Sequence, residues 1–441
     1  MNESKRMSQK ESRRFFIFIK NHLQVILQKI SLSINFFFKN ELLNHAGAAA
    51  FFFLLSVTPV FLLMLISFDR YLTSYPDVSV SFFAFLKSIN ENLDKDLLIK
   101  IGLLNVNTAA IGIFGFVNLL WAAGLILTSI QRGLGIIFPA EKTRPQHVIN
   151  FISFIVLSFF LLLAILATLF SMGLNFFQSL LPDNLIIQAL FQTLFSLIRR
   201  LLPFLITFLV IFLTYRLLPP QKPKTSSSLV GAFLCALSII LLHVLFSKFF
   251  NISQYNVIYG LIGSLILMVL WVHFSFILFF FFAEFIFVTD RIDMLLLERL
   301  YFFKLIDNTK GKKIEKFLFS HPKRIFDKYA KRYKPGKTLF KQGDNSKDIY
   351  FIFRGSISIY RTIDEDRRKI TTLKEGEVFG EMAYLLRENR TATAAAETES
   401  ILLVITPNIF EDLLQANYTF SRNLIQLLSN RLRQTQFRER P

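Results

Sequence analysis

The chain has 441 residues, 53% of them hydrophobic, with a mean hydropathy of +0.47 and a formal net charge of +19. Since soluble domains average about 45–50% apolar residues, this composition excludes an ordinary soluble protein over the full length. The single cysteine, Cys235, excludes an internal disulfide framework and any cysteine-based zinc cluster.

The excess of apolar residues ends near residue 289, which separates a membrane part from a soluble part. We predict four segments: a basic cytoplasmic N-terminal segment (1–44), a transmembrane domain (45–288), a basic helical connector (289–322) and a soluble domain (323–441). The first residues are polar and basic, and no short apolar core with a cleavage site follows them. We therefore expect no cleavable signal peptide.

Lysine and arginine are concentrated in residues 1–39 and 304–337, on both sides of the apolar region. This placement is typical of the positive-inside rule and of attraction to anionic membrane lipids, which we expect as partners. Nucleic-acid binding is the alternative explanation of the charge. No recognition helix and no stacking aromatic motif accompanies these residues, so we expect no nucleic-acid partner.

A spanning helix needs about 20 mostly apolar residues, and this requirement predicts an all-α bundle of about six transmembrane helices. The predicted spans are 45–68, 108–131, 148–172, 201–218, 229–248 and 257–288. The apolar pattern of the fourth begins near Leu185 and is interrupted by Arg199 and Arg200. The distribution of basic residues over the connecting loops predicts a multi-pass protein with both termini in the cytoplasm.

Ionisable side chains in apolar spans are functional candidates, because a charge in hydrocarbon is costly. Glu284 lies near the inner end of the sixth span, and His273 precedes it by about three helical turns, which places both on nearly the same face. Arg199 and Arg200 are the other candidates. The alternative for these residues is an interhelical hydrogen bond or, for the arginines, snorkelling to the interface.

Four apolar segments, in this order along the chain, resemble the YihY/BrkB family of bacterial inner-membrane proteins. They are HAGAAAFFFLLSVTPVF (45–61), LLWAAGLILTSIQRGLGIIF (119–138), TYRLLPPQKPKTSSSLVGAFLCAL (214–237) and YGLIGSLILMVLWVHFSFILFFFFAEF (259–285). The resemblance implies a six-helix protein of the bacterial inner membrane. Family members have carried the label ribonuclease BN, but nucleases need clustered metal ligands, and the six histidines here are scattered. We therefore expect neither an enzyme nor a metal.

After Pro335 the pattern changes to short segments in which apolar and polar residues alternate, separated by glycines at turn positions. The predicted strands are TLFKQGD, DIYFIFRG, SISIYRTID, KITTL and ILLVIT. This pattern predicts a small β-barrel or jelly roll followed by helices near 408–415 and 419–436. Residues 289–333, before the strands, are predicted to be mostly helical.

The segment GEVFGEMAYLLRENRTATAAA (376–396) strongly resembles the phosphate-binding cassette of cyclic-nucleotide-binding domains, of the type found in the catabolite activator. The resemblance extends over residues 323–436. It departs from the family at Asn389, where proline is common, and at Tyr384, where leucine is common. The residues that the resemblance assigns to ligand binding are Phe379, Gly380, Glu381, Met382, Ala383, Arg390, Thr391 and Ala392.

The chemistry of these residues suits a cyclic phosphodiester, which is a fixed monoanion. Arg390 offers a planar fork of donors that stays charged. A short helix beginning near Gly380 would point free N–H groups at the same oxygens, and glycine allows the backbone a close approach. Glu381 is placed to accept the ribose 2′-hydroxyl, and Thr391 could add a hydroxyl contact.

We expect cAMP as the regulatory ligand, with cGMP as the alternative, because Thr391 resembles a hydroxyl-bearing position of cGMP-binding members. No helix-turn-helix segment follows the last predicted helix, so a transcription factor is not expected. The sequence thus predicts a transporter or channel regulated by a cytoplasmic cyclic nucleotide, and homo-oligomerisation remains open. The alternative functions are an envelope scaffold whose C-terminal domain serves docking or oligomerisation and, as the least favoured, a membrane-bound nuclease.

Overall fold

The computed structural model describes residues 23–56, 108–140, 185–249, 257–305, 318–319, 322–363, 366–416 and helical fragments between 421 and 429. The chain divides into two compact units. One, here called the helical unit, is Leu32–Asp290, and the other, here called the β unit, combines Met1–Ser31 with Arg291–Pro441.

The helical unit is built from long apolar helices, as continuous runs of Leu, Ile and Phe predict. Helix α1 (23–39) contributes its last residues to this unit, and the helices that follow are α2 (Leu42–Ser56), α3 (Thr108–Ile137), α4 (Leu185–Leu217), α5 (Thr225–Phe249) and α6 (Val257–Asp290). Helix α4 begins well before the predicted span and contains Pro203.

Three stretches in the described residues are long and apolar enough to cross a membrane: Thr193–Leu217, Thr225–Lys248 and Ile266–Asp290. They overlap the fourth, fifth and sixth predicted spans. The shorter apolar stretches Leu42–Ser56 and Gly124–Ile137 overlap the first and second. The third predicted span (148–172) and the end of the first lie outside the described residues.

Close packing around α6 depends on small residues in the facing helices. A Cβ placed on Gly133 of α3 would overlap the Phe280 ring, and one on Gly231 of α5 would overlap the Ile286 side chain. The Tyr215 hydroxyl of α4 donates to the Phe279 carbonyl at 2.6 Å. Helices α3, α4 and α5 therefore each contact α6, and the two glycine positions leave no room for a larger residue.

A carboxylate at the end of α6 also accepts hydrogen bonds from donors at the start of α5. Asp290 Oδ2 accepts a hydrogen bond from the Lys224 backbone N–H at 2.7 Å, and Oδ1 accepts one from the Ser227 hydroxyl. The first turn of a helix has free N–H groups, so a carboxylate at this position caps α5.

The β unit contains two four-stranded antiparallel sheets, with strand orders β1-β8-β3-β6 and β2-β7-β4-β5. The strands are β1 (Ala330–Tyr333), β2 (Thr338–Phe340), β3 (Ile349–Arg354), β4 (Ile357–Ile363), β5 (Asp366–Leu373), β6 (Val378–Phe379), β7 (Thr393–Ala396) and β8 (Ser400–Ile405). The two sheets form a jelly-roll-like sandwich and do not close into a barrel, which confirms the predicted jelly-roll fold.

The core of the sandwich is formed by the inward-facing side chains of both sheets, as their alternation predicts. It consists of Phe340, Tyr350, Ile352, Ile357, Leu373, Phe379, Ala394, Ala396, Leu402 and Val404. Three strands were not predicted: β1 and β6 are short, and β7 is rich in alanine, which has low β propensity. The predicted helical stretch 289–333 is therefore wrong at its end, where β1 begins at Ala330.

The described residues of the β unit also include the helices α7 (Ile292–Leu305), α8 (Lys323–Tyr329), α9 (Glu381–Leu385) and α10 (Pro407–Ala416). Leu297 of α7 shares a small apolar space with Leu403 of β8 and with Phe410 and Leu413 of α10. Helix α7 thus packs against the same apolar space as α10. Parts of the predicted helix 419–436 are helical, at residues 421–422, 424–426 and 428–429.

Candidate functional site

The turn between β6 and α9 brings the backbone close to Arg390. Gly380, between Phe379 and Glu381, has a φ of 82°, in the left-handed region. A Cβ at this position would lie 2.8 Å from Arg390 Nη1 and 3.1 Å from the Asp348 carbonyl oxygen. Glycine alone fits both this backbone conformation and this space.

Arg390 is buried, with 3% of its surface exposed, and is held by three hydrogen bonds. Nε donates to Ser346 Oγ at 3.0 Å, Nη1 to the Gly380 carbonyl at 2.7 Å and Nη2 to the Asp348 carbonyl at 2.6 Å. Arginine has more N–H donors than these bonds use, so part of the fork is left for an anion. The loop before β3 and the turn before α9 therefore fix the orientation of the guanidinium.

Burial lowers the pKa of Arg390, while the surrounding Tyr350, Asp348, Asp344 and Glu381 act in the opposite direction. Because arginine is not deprotonated in proteins, the group remains a fixed positive charge. The carbonyl and hydroxyl oxygens that hold it orient this charge without neutralising it. An anionic ligand would therefore gain more binding free energy here than beside an exposed lysine.

Aromatic rings support the guanidinium from one side. Its central carbon lies 4.1 Å from the Phe340 ring centre and 5.8 Å from that of Tyr350, within cation–π range. Tyr350 stacks on Phe379 with ring centres 5.1 Å apart. The core of the sandwich thus provides a rigid base for Arg390.

A cavity of about 450 Å³ lies beside Arg390, in the size range of small-molecule sites. Its lining includes all eight residues that the sequence assigned to ligand binding: Phe379, Gly380, Glu381, Met382, Ala383, Arg390, Thr391 and Ala392. Glu381 is 1% exposed, so a second charged group is buried at the same cavity. The structure brings these eight residues together around one space.

The other lining residues of the cavity were not predicted as ligand contacts. They include residues of β4 and β5, Leu385 and Leu386 at the end of α9, and Leu428 of the C-terminal helical fragments. The strand residues are Ile359, Ile370, Thr371 and Leu373. Alternation along β4 and β5 indicates which side chains point inward, but it does not separate a cavity wall from a filled core.

The cavity combines a buried cation and a buried acid with an apolar wall. Such a set of side chains suits a small amphipathic anion that carries hydroxyl groups and a flat apolar ring. The cation would take the anionic group, the carboxylate would accept from a hydroxyl, and the apolar wall would contact the ring.

Tyr384 connects α9 to α10. Its hydroxyl donates to Glu411 Oε2, and its ring meets that of Phe410 edge-on, with centres 5.6 Å apart. The hydrogen bond to Glu411 raises the pKa of Tyr384, so the phenol remains neutral and able to donate. A displacement of α9 would therefore be transmitted to α10 through this hydrogen bond and this ring contact.

A second cluster connects α7 to α8. Asp293 accepts hydrogen bonds from Arg324 Nε at 2.5 Å, Lys328 Nζ at 2.7 Å and the Tyr329 hydroxyl at 3.3 Å. Burial alone would raise the pKa of Asp293, but the hydrogen bonds and charges of Arg324 and Lys328 outweigh burial and hold it below its usual value. The carboxylate is therefore ionised at neutral pH.

Among the predicted polar residues of the membrane spans, the structure describes the side chains of Glu284 and His273, and their contacts differ. Glu284 is fully buried and accepts a hydrogen bond from Asn40 Nδ2 at 3.3 Å. His273 is partly buried, and its Cε1 lies 3.7 Å from the position of a Cβ on Gly47. Arg199 and Arg200 lie in α4, and their side chains are outside the described part of the structure. Within the described residues, no three His, Cys, Asp or Glu side chains could jointly hold a metal ion.

Comparison with known families agrees with this geometry. Residues 330–417 match the family model described as cyclic nucleotide-binding domain, so the jelly roll and its cavity define a protein with such a domain. Residues 34–294, more than half of the chain, match the model described as virulence factor BrkB. The chain belongs to the BrkB family, whose matched region contains the three stretches that are long and apolar enough to cross a membrane. Neither description names an enzymatic activity.

Individual relatives are similar over short parts of the chain. The cyclic AMP receptor protein of Thermus thermophilus is 33% identical over 103 residues, which are 23% of this chain and 48% of that protein. The potassium/sodium hyperpolarization-activated cyclic nucleotide-gated channel 4 of Oryctolagus cuniculus is 30% identical over 83 residues, 19% of this chain and 7% of the channel. The chain therefore spans about half or less of these relatives.

Among solved structures, the catabolite activator protein of Thermus thermophilus is 31% identical, with a TM-score of 0.24. The similarity covers 25% of this chain and 52% of that one.

Proposed function

We propose that the β unit binds a cyclic nucleotide in the cavity beside Arg390 and that binding regulates the membrane domain. The observation that carries the proposal is the buried, oriented guanidinium of Arg390 at a cavity lined by all eight cassette residues. In this arrangement Arg390 binds the cyclic phosphate, Glu381 accepts the ribose 2′-hydroxyl, and the apolar wall with Leu428 contacts the base.

Calorimetric titration of the full-length protein with cAMP and cGMP tests this proposal. The wild type is expected to bind, and Arg390→Gln is expected to lose about 1.5–3 kcal/mol of binding free energy, or roughly 10–100-fold in affinity. Arg332→Gln is the matched control, because Arg332 is exposed on β1 and absent from the cavity lining.

Unfolding temperatures without ligand must be similar for the two variants, so that a loss of binding is not a loss of folding. If the folded wild type gives no heat of binding with either cAMP or cGMP, the proposal is contradicted. Equal loss of affinity in both variants would also contradict it.

We infer cAMP as the ligand, with cGMP as the alternative. The relatives support both, since their names include a cyclic AMP receptor protein and cGMP-dependent protein kinases. Thr391 lines the cavity and is exposed. If its hydroxyl contacts the ligand, Thr391→Val will change the ratio of the two affinities. An unchanged ratio of the cAMP and cGMP affinities would contradict a role of Thr391 in selecting the base.

For the membrane domain we propose a transporter or channel of the bacterial inner membrane, with both termini in the cytoplasm and anionic lipids around its basic segments. The proposed domain boundaries are those predicted above, with the connector 289–322 between the membrane domain and the nucleotide-binding domain. A ligand shifts such a protein only through different affinities for its two states, and a hundredfold difference supplies about 2.7 kcal/mol.

The alternative is an envelope scaffold in which the β unit serves docking or oligomerisation. The two functions differ in their dependence on the cavity. Under the alternative, Arg390→Gln leaves cellular function intact, and cAMP changes neither flux through proteoliposomes nor oligomeric state. Ion or solute flux that responds to cAMP in the wild type, and not in Arg390→Gln, supports regulation.

A further inference from the structure

Glu284 is a carboxyl group inside a membrane-spanning helix. It lies in the apolar stretch Ile266–Asp290 and is 0% exposed. Oε2 accepts a hydrogen bond from Asn40 Nδ2 at 3.3 Å. Oε1 is buried and has no hydrogen-bond partner among the residues that the structure describes. The buried carboxyl is therefore stabilised by a neutral amide.

Asn40 belongs to a break between two helices. It lies with Glu41 between α1 and α2, and Glu41 has a φ of 51°, in the left-handed region that is unfavourable for a residue with a side chain. Backbone strain of this kind persists where the surroundings impose it and is concentrated at functional sites. The helix break and Glu284 are in direct contact and form one site.

The titratable and charged groups on the neighbouring elements are exposed or have other contacts. Lys39 and Glu41 at the break are exposed, with Lys39 Nζ 5.8 Å from the Phe36 ring and Glu41 accepting from Asn44. Other groups are His45 near the Phe280 ring, His273 near Gly47, exposed Arg132 on α3, Arg216 of α4, which donates to the Pro223 carbonyl, and Asp290, which caps α5. Within the described parts of the helical unit, no basic group forms an ion pair with Glu284.

The free-energy cost of each state of the carboxyl group indicates which ligand this site binds. An unpaired carboxylate in a buried position costs several kcal/mol, even after relaxation. A neutral acid leaves at most one unsatisfied O–H group, at a cost of about 1–3 kcal/mol. A metal cation would need several oxygen ligands, about six to eight for calcium. Here Asn40 presents its NH₂ group to the single carboxyl, so the site suits a proton.

We propose that Glu284 is a proton-binding site of the membrane domain. A proton from water adds to a carboxylate oxygen and forms one O–H bond, with no redox step. The bound form is the neutral acid packed against the Asn40–Glu41 break. Ionisation requires a new environment for the carboxylate, so release of the proton is coupled to movement of the break relative to α6. This site is independent of the nucleotide cavity.

Infrared difference spectroscopy, which compares the full-length wild type with its variants in the absence of nucleotide, tests this proposal. At neutral pH the wild type is expected to show the carbonyl stretch of a buried protonated carboxyl. Glu284→Gln should lose this band, and Glu284→Asp should shift it. Glu41→Gln, which changes the exposed neighbouring carboxyl, should retain it.

Absence of the band in the wild type at neutral pH, or its persistence in Glu284→Gln, would overturn the proposal. Thermal unfolding in sodium chloride and in choline chloride provides a second test. The proton site predicts the same unfolding temperature in both salts. Stabilisation by sodium that disappears in Glu284→Gln would instead indicate a metal cation and contradict the proposal.

Discussion

Arg390 depends on its neighbours as much as on its own charge. Ser346, Gly380 and Asp348 hold its three nitrogens, and Phe340 supports its plane. The sequence motif predicts Arg390 and Gly380, because their spacing is characteristic. It does not predict Ser346 and Asp348, because a loop that returns to the site through the fold has no local signature.

Gly380→Ala is expected to abolish high-affinity cAMP binding. The left-handed backbone would cost about 1–2 kcal/mol, and the new methyl group would meet Arg390 Nη1 and the Asp348 carbonyl. Calorimetry with cAMP measures the loss. Gly336→Ala is the control, since Gly336 has a similar φ of 80° with open space around it. Equal binding by both variants would contradict the close approach at Gly380.

Glu381 is expected to distinguish ribo- from deoxyribonucleotides. The wild type should bind cAMP more tightly than 2′-deoxy-cAMP by about 1.5–3 kcal/mol, the value of a hydrogen bond to a charged group. Glu381→Gln should reduce this difference, and competition binding measures both ligands. Glu388→Gln, at an exposed position absent from the cavity lining, is the control. Full discrimination by Glu381→Gln would contradict the assigned role.

Helix α9 is linked to α10 by one side chain at which this sequence departs from the family pattern. Tyr384→Phe removes the hydroxyl bond to Glu411 and retains the ring contact with Phe410. We expect cAMP still to bind, within about tenfold of the wild-type affinity, but to protect Pro407–Ala416 less from hydrogen exchange. Tyr360→Phe on β4 is the control. Unchanged protection of α10 in Tyr384→Phe would show that α10 responds by another route.

The link between α7 and α8 predicts a pH dependence of stability. The folded-state pKa of Asp293 is lowered, so its contribution is present in full above its unfolded pKa of about 3.9 and is lost as the pH falls through the folded value. Asp293→Asn should therefore lower the unfolding temperature by a few degrees at neutral pH and have little effect in strong acid. Thermal unfolding at several pH values measures this.

Asp366→Asn is the control for this pH dependence, because Asp366 pairs with Arg368 on the surface, where both side chains are mostly exposed. A decrease equal to that of Asp293→Asn would contradict a special role for the α7–α8 cluster.

The elements themselves differ in how well the sequence predicts them. Long strands with alternating residues, such as β3 and β4, are predicted, because burial of one face requires alternation. The strands β6 and β7 are missed, since two residues are too short for a pattern and alanine favours helix. The cassette (376–396) contains both of these missed strands, so its motif predicts the site where secondary-structure patterns do not.

At the scale of the whole molecule, the sequence predicts two parts, because composition changes abruptly near residue 289. Apolar length is sufficient to predict the spans that lie within α5 and α6. It does not predict the break at Asn40 and Glu41, where no proline or glycine marks the interruption. The contact between this break and Glu284 arises from residues far apart in the chain, which periodicity cannot detect.

Coupling between the two parts predicts that cAMP changes flux through proteoliposomes that contain the full-length protein. Arg390→Gln should retain basal flux and lose the response to cAMP, whereas Arg332→Gln should retain both. A panel of ions and small solutes provides the readout. If Arg390→Gln responds to cAMP as strongly as the wild type, the change in flux does not depend on the cavity, and coupling through Arg390 is contradicted.

The central claim is that the buried guanidinium of Arg390 binds the phosphate of a cyclic nucleotide. A structure of the full-length protein determined with cAMP tests it most directly. We predict density for the nucleotide in the cavity, with a phosphate oxygen within hydrogen-bond distance of Arg390 and the ribose 2′-hydroxyl beside Glu381. An empty cavity at saturating cAMP, or nucleotide bound with its phosphate away from Arg390, would contradict the account.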